Sequence, residues 1–154
     1  MSVVQRRSVK AATCRPEEKF AEYLRRKRHR NTRARRELVR HIFSYRGHFT
    51  AEELVSDVER HKIRVSRATV YRTLALLVEA GLLRKIRFGN ADAYEHDYGI
   101  PAHDHLYCTE CGKILEFQVS ELDRLLARVA RRHNFSISSH RLIVTGLCKE
   151  CAQR

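Results

Sequence analysis

Hydrophobic residues recur at helical intervals in four segments of the N-terminal part of the chain, with polar residues between them. The first two segments span residues 17–30 and 32–46. The other two begin with the N-cap residues Thr50 and Ser66, and the last of them ends at Gly81. This pattern predicts a series of amphipathic helices, each with one apolar face turned to a shared core.

The pattern changes to strict alternation after the last of these helices. Two alternating segments, LLRKIRF and ADAYEH, are separated by the turn residues Gly89 and Asn90. Such a pair predicts a β-hairpin. Helices followed by a hairpin give the element order of a winged helix-turn-helix domain.

The C-terminal part of the chain follows a linker-like segment that contains Gly99 and Pro101. HLYC and KILEF predict strands around a turn, SELDRLLARVARRH predicts an amphipathic helix, and FSISSHRLIVTGLC predicts one or two further strands. This part is short for an independent monomer, so we expect it to need a zinc ion, a partner subunit or both.

These patterns predict an α+β fold in which a winged-helix domain precedes a small α/β domain. We expect a disordered extension at residues 1–15, the winged helix at 16–96, a hinge at 97–102 and the second domain at 103–154.

The formal charge of +13 is unevenly distributed. Residues 1–46 carry 15 basic and 4 acidic side chains, whereas residues 92–123 carry 1 basic and 8 acidic ones. This favours a polyanion-binding module joined to a cation-binding module, with a solvated basic tail as the alternative for the first 30 residues.

No apolar run reaches the ~18 residues of a membrane span, and no secretory signal is evident. Five cysteines without a signal then indicate a reducing, cytoplasmic location.

Four of the cysteines form two CxxC pairs, Cys108 with Cys111 and Cys148 with Cys151. Each pair has the bite of a tetrahedral zinc site, and two pairs close its coordination shell. We therefore predict a structural zinc ion that cannot activate water, with disulfides or redox chemistry as alternatives. The remaining thiol, Cys14, has no neighbouring ligand in the sequence and is predicted to be an inert surface thiol.

Imidazoles and carboxylates cluster around the first CxxC pair. His103 and His105 share one face of a predicted strand and Asp104 takes the other, while Glu95 and Glu116 lie on neighbouring segments. Such nitrogen and oxygen ligands suit Fe(II), Mn(II), Co(II) or Zn(II). The alternative is that these are exposed polar residues beside a zinc site.

The segment HDHLYCTECGKILEF resembles the core motif of the ferric uptake regulator family of metal-dependent repressors. TRARRELVRHIF, GHFTAEELV and SRATVYRTLALLVEAGLL resemble its DNA-binding domain in the same order, so the resemblance covers roughly residues 20–151. It implies a winged helix joined by a hinge to a dimerisation domain. It also implies a homodimer, with a tetramer as the alternative, that binds double-stranded operator DNA when a regulatory metal is bound.

The resemblance implies three metal sites, the first being structural Zn²⁺ on the four paired cysteines. The ligands implied for the regulatory ion are His48, Glu95, His103, His105 and Glu116. A third, weaker site would use Asp104, Asp123 and His140, and Ala102 stands where that site often has another histidine.

Three polar positions of the segment after Ser66 are candidates for DNA contact. Tyr71 offers a ring for thymine methyl groups, or is a half-buried aromatic residue, and Arg72 can reach a phosphate or a guanine. Thr69 shares their side of the helix. By resemblance, the tyrosine and arginine positions contact DNA, and Arg30 approaches the minor groove.

The resemblance thus implies an iron-responsive repressor, with Fe²⁺ as the expected regulatory metal and Mn²⁺ or Zn²⁺ as alternatives. A peroxide, zinc or manganese sensor of the same family is the runner-up, although peroxide sensors tend to have Asp in place of Glu116. A zinc-ribbon interaction module with a basic nucleic-acid-binding arm is the alternative from another class. An enzyme is not expected, because no nucleophile–base pair is evident.

Overall fold

The computed structural model describes residues 15–45, 47–99 and 103–153, which fall into two compact units. The described residues up to 99 form the N-terminal unit, and those from 103 onwards form the C-terminal unit. Predictions about the extension up to Cys14, about residues 100–102 of the hinge and about Ala102 lie outside the described residues.

The N-terminal unit has the element order of a winged helix-turn-helix, and this part of the fold prediction is confirmed. Its elements are α1 (Pro16–Arg26), α2 (Arg33–Ile42), β1 (Phe49–Thr50), α3 (Ala51–Arg60), α4 (Arg67–Glu79), β2 (Leu83–Phe88) and β3 (Ala91–His96). The strands form an antiparallel sheet in the order β1-β3-β2, with the hairpin turn at the two predicted residues.

The predicted caps begin three of these helices. The hydroxyl groups of Thr32 and Ser66 accept hydrogen bonds from backbone amides at the starts of α2 and α4. At α3 the Thr50 hydroxyl accepts from the Glu53 amide at 3.1 Å, and the Glu53 carboxylate accepts from the Thr50 amide at 2.6 Å. This reciprocal pair satisfies amides that lack a partner within the helix.

The prediction that the first helix runs to residue 30 is wrong, because α1 ends at Arg26. Arg28 adopts a left-handed conformation with φ of 58°, and the amide of His29 donates to the carbonyl of Leu24 at 2.8 Å. This is a Schellman-type C-cap, which is usually made with glycine. An arginine in the left-handed position gives no signal in the sequence.

The second helix is also shorter than predicted, since α2 ends at Ile42 rather than near residue 46. The hydroxyl group of Ser44 donates to the His41 carbonyl at 2.7 Å, which satisfies an acceptor at the helix end. The phenol of Tyr45 donates to the carboxylate of Asp57 on α3. These side-chain bonds replace a further helical turn.

One core joins the helices and the hairpin of the N-terminal unit. Leucines from four helices are fully buried in it: Leu24, Leu38, Leu54, Leu74 and Leu77. Each such side chain contributes about 1.5–3 kcal/mol relative to an exposed one. The N-terminal unit therefore has the apolar burial of an independent domain.

The C-terminal unit contains a second sheet and one long helix. Its elements are β4 (Asp104–Cys108), β5 (Ile114–Phe117), α5 (Ser120–Arg132), β6 (Ile143–Gly146) and α6 (Lys149–Ala152). The sheet order is β5-β4-β6, with β4 antiparallel to β5 and parallel to β6. The α+β prediction is thereby confirmed for both units. Among the described residues, no helix combines the length and the apolar character needed to cross a bilayer.

Many apolar side chains of the C-terminal unit are exposed. Among its described residues, only Cys108 and Ala130 are buried hydrophobic residues. The exposed ones, called here the apolar surface, are Leu106, Leu115, Val119, Leu125, Val129, Phe135, Ile137, Leu142, Val144 and Leu147. Strand register pairs Leu106 with Leu115 on one side and Val144 on the other, so these three side chains stand next to one another across the sheet.

Candidate metal and DNA-binding sites

The strand order of the C-terminal unit brings the two CxxC pairs together. Cys108 ends β4 opposite Gly146 on the parallel strand β6, so the second pair begins two residues beyond that point. The amide of Cys148 donates to the Cys108 sulfur at 3.3 Å, and the Sγ atoms of Cys111 and Cys148 are 3.7 Å apart. With Cys151 included, the four sulfurs lie within 4.8 Å of one another. This arrangement fits one tetrahedral ion.

The four thiols are free and crowded, and their environments differ. Hydrogen bonds from the backbone amides of Cys111 and Cys148 lower the pKa of the Cys108 thiol to about 6. A hydrogen bond to Glu150 raises the pKa of Cys148, and the sulfur of Cys148 in turn raises the pKa of Cys151. A soft dication that replaces the thiol protons relieves this crowding of sulfurs, as structural zinc does.

His48 and Glu95 meet within the N-terminal unit. His48 precedes β1 and Glu95 lies on β3, and the His48 Nε2 atom is 2.9 Å from Glu95 Oε2. Their side chains are only 9% and 4% exposed. Arg84, which pairs with Glu95 across the hairpin, has its guanidinium 3.5 Å from the same carboxylate. The sequence reading missed Arg84, although the hairpin register alone places it beside Glu95.

His103, His105 and Glu116 meet within the C-terminal unit. The β4–β5 register pairs His105 with Glu116, and the rings of His103 and His105 have their centroids 4.9 Å apart. The ligand atoms of these three residues lie within 4.8 Å of one another. His105 is completely buried, so the alternative that it is an exposed polar residue is wrong. A buried imidazole beside a second imidazole and a carboxylate has the chemistry of a nitrogen and oxygen metal site.

The residues of the predicted weaker site are also neighbours, but His140 bridges the two carboxylates. Its Nε2 atom is 3.4 Å from Asp104 Oδ2, and its Nδ1 atom is 3.9 Å from Asp123 Oδ1. Asp104 is nearly buried, and its other oxygen accepts a hydrogen bond from the Leu142 amide at 2.9 Å. One ring nitrogen could thus share an ion with only one of the two carboxylates, so metal binding here stays a prediction.

The candidate DNA-contacting side chains lie on α4, except Arg30, which is exposed between α1 and α2. Tyr71 is 37% exposed, so most of its surface is covered, as in the half-buried alternative, and its hydroxyl group donates to Glu52 Oε1 at 2.7 Å. This hydrogen bond is the main reason that the pKa of Glu52 is lowered. The guanidinium of Arg72 lies 3.4 Å from the hydroxyl group of Thr69. These side chains give α4 a polar, cationic outer surface with a partly exposed tyrosine.

Comparisons with known proteins cover both units. The sequence model of the ferric uptake regulator family matches residues 26–145. The ferric uptake regulation protein of Campylobacter jejuni is 35% identical over 136 residues, which is 87% of each chain. The peroxide-responsive repressor PerR of Staphylococcus aureus is 29% identical over 125 residues, covering 81% of this chain and 84% of that protein. The solved structure of the Helicobacter pylori ferric uptake regulator superposes with a TM-score of 0.81 at 24% identity, covering 90% of this chain and 93% of that one.

Proposed function

The chain belongs to the ferric uptake regulator family, and from this premise we propose that it is an iron-responsive repressor that binds operator DNA as a homodimer. Members of this family are metal-responsive transcriptional regulators, not enzymes. The observation that carries the proposal is the 35% identity to a ferric uptake regulation protein over 87% of both chains. Because its partner would be chromosomal DNA, we propose that it acts in the cytoplasm.

The four paired cysteines would hold a structural zinc ion. Sulfur donors without an open position suit Zn²⁺ and leave no room for a reactive water. Cys108 ends β4 and Cys111 lies in the turn that leads to β5, whereas Cys148 is the N-cap residue of the short helix α6 and Cys151 lies within it. Ligation by all four would fasten the C-terminal segment to the sheet.

A regulatory ion would take ligands from both units. His48 and Glu95 would contribute from the N-terminal unit, and His103, His105 and Glu116 from the C-terminal unit. Their nitrogen and oxygen donors suit Fe²⁺ and also accept Mn²⁺ or Zn²⁺. By sharing one ion, these residues would couple metal binding to the orientation of the winged helix. Such coupling amounts to about 1–3 kcal/mol, or about 5–150-fold in DNA affinity.

The DNA-binding surface would be the outer side of α4 together with the basic residues of the N-terminal unit. Tyr71 would exchange its hydrogen bond with Glu52 for contact with bases, and Arg72 would reach a guanine or a phosphate. Thr69 and Arg30 would support these contacts. If Z cationic side chains meet phosphates, the logarithm of the affinity should fall with that of the salt concentration at a slope of about −0.9Z.

A second copy of the chain would cover the apolar surface of the C-terminal unit. Leu115 and Leu147 are 47% and 57% exposed, and water-exposed apolar patches of this kind mark protein interfaces. A symmetric dimer would bury the same patch on both copies and would present two winged helices to two half-sites. A tetramer is the alternative assembly.

Iron is proposed over the other signals on two grounds. The identity to the Campylobacter jejuni ferric uptake regulation protein exceeds that to the Staphylococcus aureus peroxide-responsive repressor, 35% against 29%. The chain also has Glu116 where peroxide sensors tend to have aspartate. A peroxide, zinc or manganese sensor remains the second candidate, because nitrogen and oxygen ligands accept several divalent metals.

The test is DNA binding by fluorescence anisotropy under anaerobic conditions. The protein would keep its tightly held zinc and be titrated with Fe²⁺, Mn²⁺ and Zn²⁺ on duplexes selected from the host genome. We expect duplex-specific binding that requires added metal, with Fe²⁺ effective at free concentrations found in cells. The His103→Ala variant should lose the increase in DNA binding that added metal causes. The control is His133→Ala, which replaces an exposed histidine outside the proposed site and should keep that increase. Binding that ignores both sequence and metal would support the zinc-ribbon module instead.

A further inference from the structure

A second group of histidine and carboxylate side chains lies in the N-terminal unit, away from the proposed regulatory ligands. His41 Nε2 is 2.7 Å from Asp57 Oδ2, and His61 Nδ1 is 3.5 Å from Asp57 Oδ1. The three ligand atoms lie within 4.8 Å of one another. We propose that His41, Asp57 and His61 bind a divalent transition-metal ion.

The distances match those that a shared ion imposes. Imidazole nitrogens and carboxylate oxygens bind Zn²⁺ at about 2.0–2.2 Å, which sets two ligand atoms of one ion about 3–3.5 Å apart. The separations of 2.7 Å and 3.5 Å differ from this range by a few tenths of an ångström at most. The rings of His41 and His61 have their centroids 4.7 Å apart, and each has one nitrogen within 3.5 Å of an oxygen of the same carboxylate. Binding of the ion requires the 2.7 Å contact between His41 and Asp57 to widen by a few tenths of an ångström.

The backbone holds these residues in place. His41 lies in the last turn of α2, Asp57 lies in the last turn of α3, and His61 is the C-cap residue of α3. Asp57 and His61 are four residues apart, a spacing that places both on one face of the helix. His41 and Asp57 each have only 14% of their side chain exposed. Two of the three ligands are therefore largely buried, and the third, His61, lies on the solvent-exposed side of the site.

The carboxylate of Asp57 is ready to bind a cation. The hydroxyl of Tyr45 donates to its Oδ2 atom at 2.5 Å, and the Arg60 guanidinium lies 2.7 Å from Oδ1. The hydrogen bond from Tyr45, followed by that from His41, lowers the pKa of Asp57 below its ordinary value. An incoming ion meets an ionised ligand and replaces the hydrogen bond between His41 Nε2 and Asp57 Oδ2. It also displaces Arg60, whose side chain is 72% exposed and can swing into water.

The donor set defines the class of ion. Two imidazoles and one carboxylate suit Zn²⁺, Co²⁺, Ni²⁺, Cu²⁺ and Fe²⁺, with water in the remaining positions. Mg²⁺ and Ca²⁺ prefer oxygen ligands throughout and fit poorly. Bound there, the ion links the end of α2 to the end of α3 and stabilises the N-terminal unit. This proposal does not rest on iron sensing or on the regulatory ligands named above.

The competing explanation is a hydrogen-bond network without metal. His61 Nδ1 is 2.9 Å from the backbone carbonyl of Asp57, a contact that caps the end of α3. An ion on the same nitrogen must replace this hydrogen bond. The side chain of His61 is 57% exposed, so it can give up the contact without opening the core.

The experiment uses the full chain with zinc retained in the cysteine site and ¹⁵N-labelled histidine. Zn²⁺ is added in steps while the ring nitrogens of His41 and His61 are followed by NMR. The proposal predicts that both rings shift together with a common midpoint. Rings that stay unchanged while other histidines respond would leave only the hydrogen-bond network and overturn the proposal.

Equilibrium dialysis counts the ions independently. His61→Ala should bind one Zn²⁺ fewer per chain than wild type. The matched control is His133→Ala, because His133 is also an exposed C-cap histidine, on α5, and this variant should bind the wild-type number. Equal counts in His61→Ala and wild type would contradict the proposal. Metal-stimulated DNA binding should persist in His61→Ala and be lost in His103→Ala, which separates this site from the proposed regulatory one.

Discussion

The two units of the chain use apolar side chains in opposite ways. In the N-terminal unit Leu38, Leu54 and Leu74 are 0% exposed, whereas in the C-terminal unit Leu115 and Leu147 are 47% and 57% exposed. Hydrophobic burial stabilises only what it removes from water. The N-terminal unit thus carries its stability within one chain, and we expect the C-terminal unit to draw on a metal ion and a second copy.

The largest expected effect follows from removing a thiol. Cys148→Ala should abolish tight zinc binding and unfold the C-terminal unit, because structural zinc supplies about 10–16 kcal/mol of apparent binding free energy in small zinc domains. The helices of the N-terminal unit should persist. Zinc content by mass spectrometry and circular dichroism check both points, and Cys14→Ala should retain the metal. A C-terminal unit that stays folded without zinc would contradict the expectation that this unit depends on a metal ion for its stability.

Removing a core side chain should affect the other unit. Leu74→Ala should lower the free energy of unfolding of the N-terminal unit by about 2–5 kcal/mol, since Leu74 is fully buried. Arg72→Ala replaces an exposed side chain on the same helix and should alter this free energy of unfolding by no more than about 0.5 kcal/mol. Denaturant titration followed by circular dichroism measures both. Equal effects of the two variants would mean that the core does not hold this unit together.

A charge on the apolar surface should separate the subunits. Leu125→Asp should weaken self-association at least about a hundredfold, or about 2.7 kcal/mol, because an unpaired carboxylate would be buried in the dimer. Arg124→Ala, next to it on α5, should leave association nearly unchanged. Sedimentation equilibrium gives both constants. If Leu125→Asp associates as wild type does, the apolar surface has another role.

The smallest effect concerns a single hydrogen bond between α1 and α4. The hydroxyl of Tyr23 donates to Glu79 at 2.6 Å, and this bond, followed by burial, raises the pKa of Tyr23. A raised pKa in the folded state means that the contribution is complete below the unfolded value near pH 10 and is lost as the pH rises through the folded value. Wild type should therefore lose stability in alkali more steeply than Tyr23→Phe. Parallel pH profiles from thermal unfolding would contradict this assignment.

Local signals predicted much of the fold. The hydroxyl caps at Thr32, Thr50 and Ser66 and the turn between β2 and β3 are where the sequence placed them. These features depend on residues close in the chain. The predicted ends of α1 and α2 were wrong. Arg28 adopts a left-handed conformation after α1, and Tyr45 forms a hydrogen bond to α3 after the end of α2. Neither feature leaves a pattern in the sequence.

The candidate sites also differ in whether residue spacing and strand pairing, or the packing of distant elements, brings their residues together. The CxxC spacing is visible in the sequence itself, and the pairing of His105 with Glu116 follows from the register of two neighbouring strands. The meeting of His41 with Asp57 depends on how α2 packs against α3 and was missed. Only the four-residue spacing of Asp57 and His61 hinted at a site there. Alternation likewise predicted which residues share a face, but could not reveal that the apolar surface is exposed.

The central claim is that ligands from both units share one regulatory ion, and a double-mutant cycle on metal-stimulated DNA binding tests it most directly. His48→Ala and His103→Ala would be compared singly and together by anaerobic anisotropy with Fe²⁺. If both histidines bind the same ion, each single variant should lose most of the stimulation, and the double variant should lose little more. Losses that simply add would show that His48 and His103 act independently, and the shared site would be wrong.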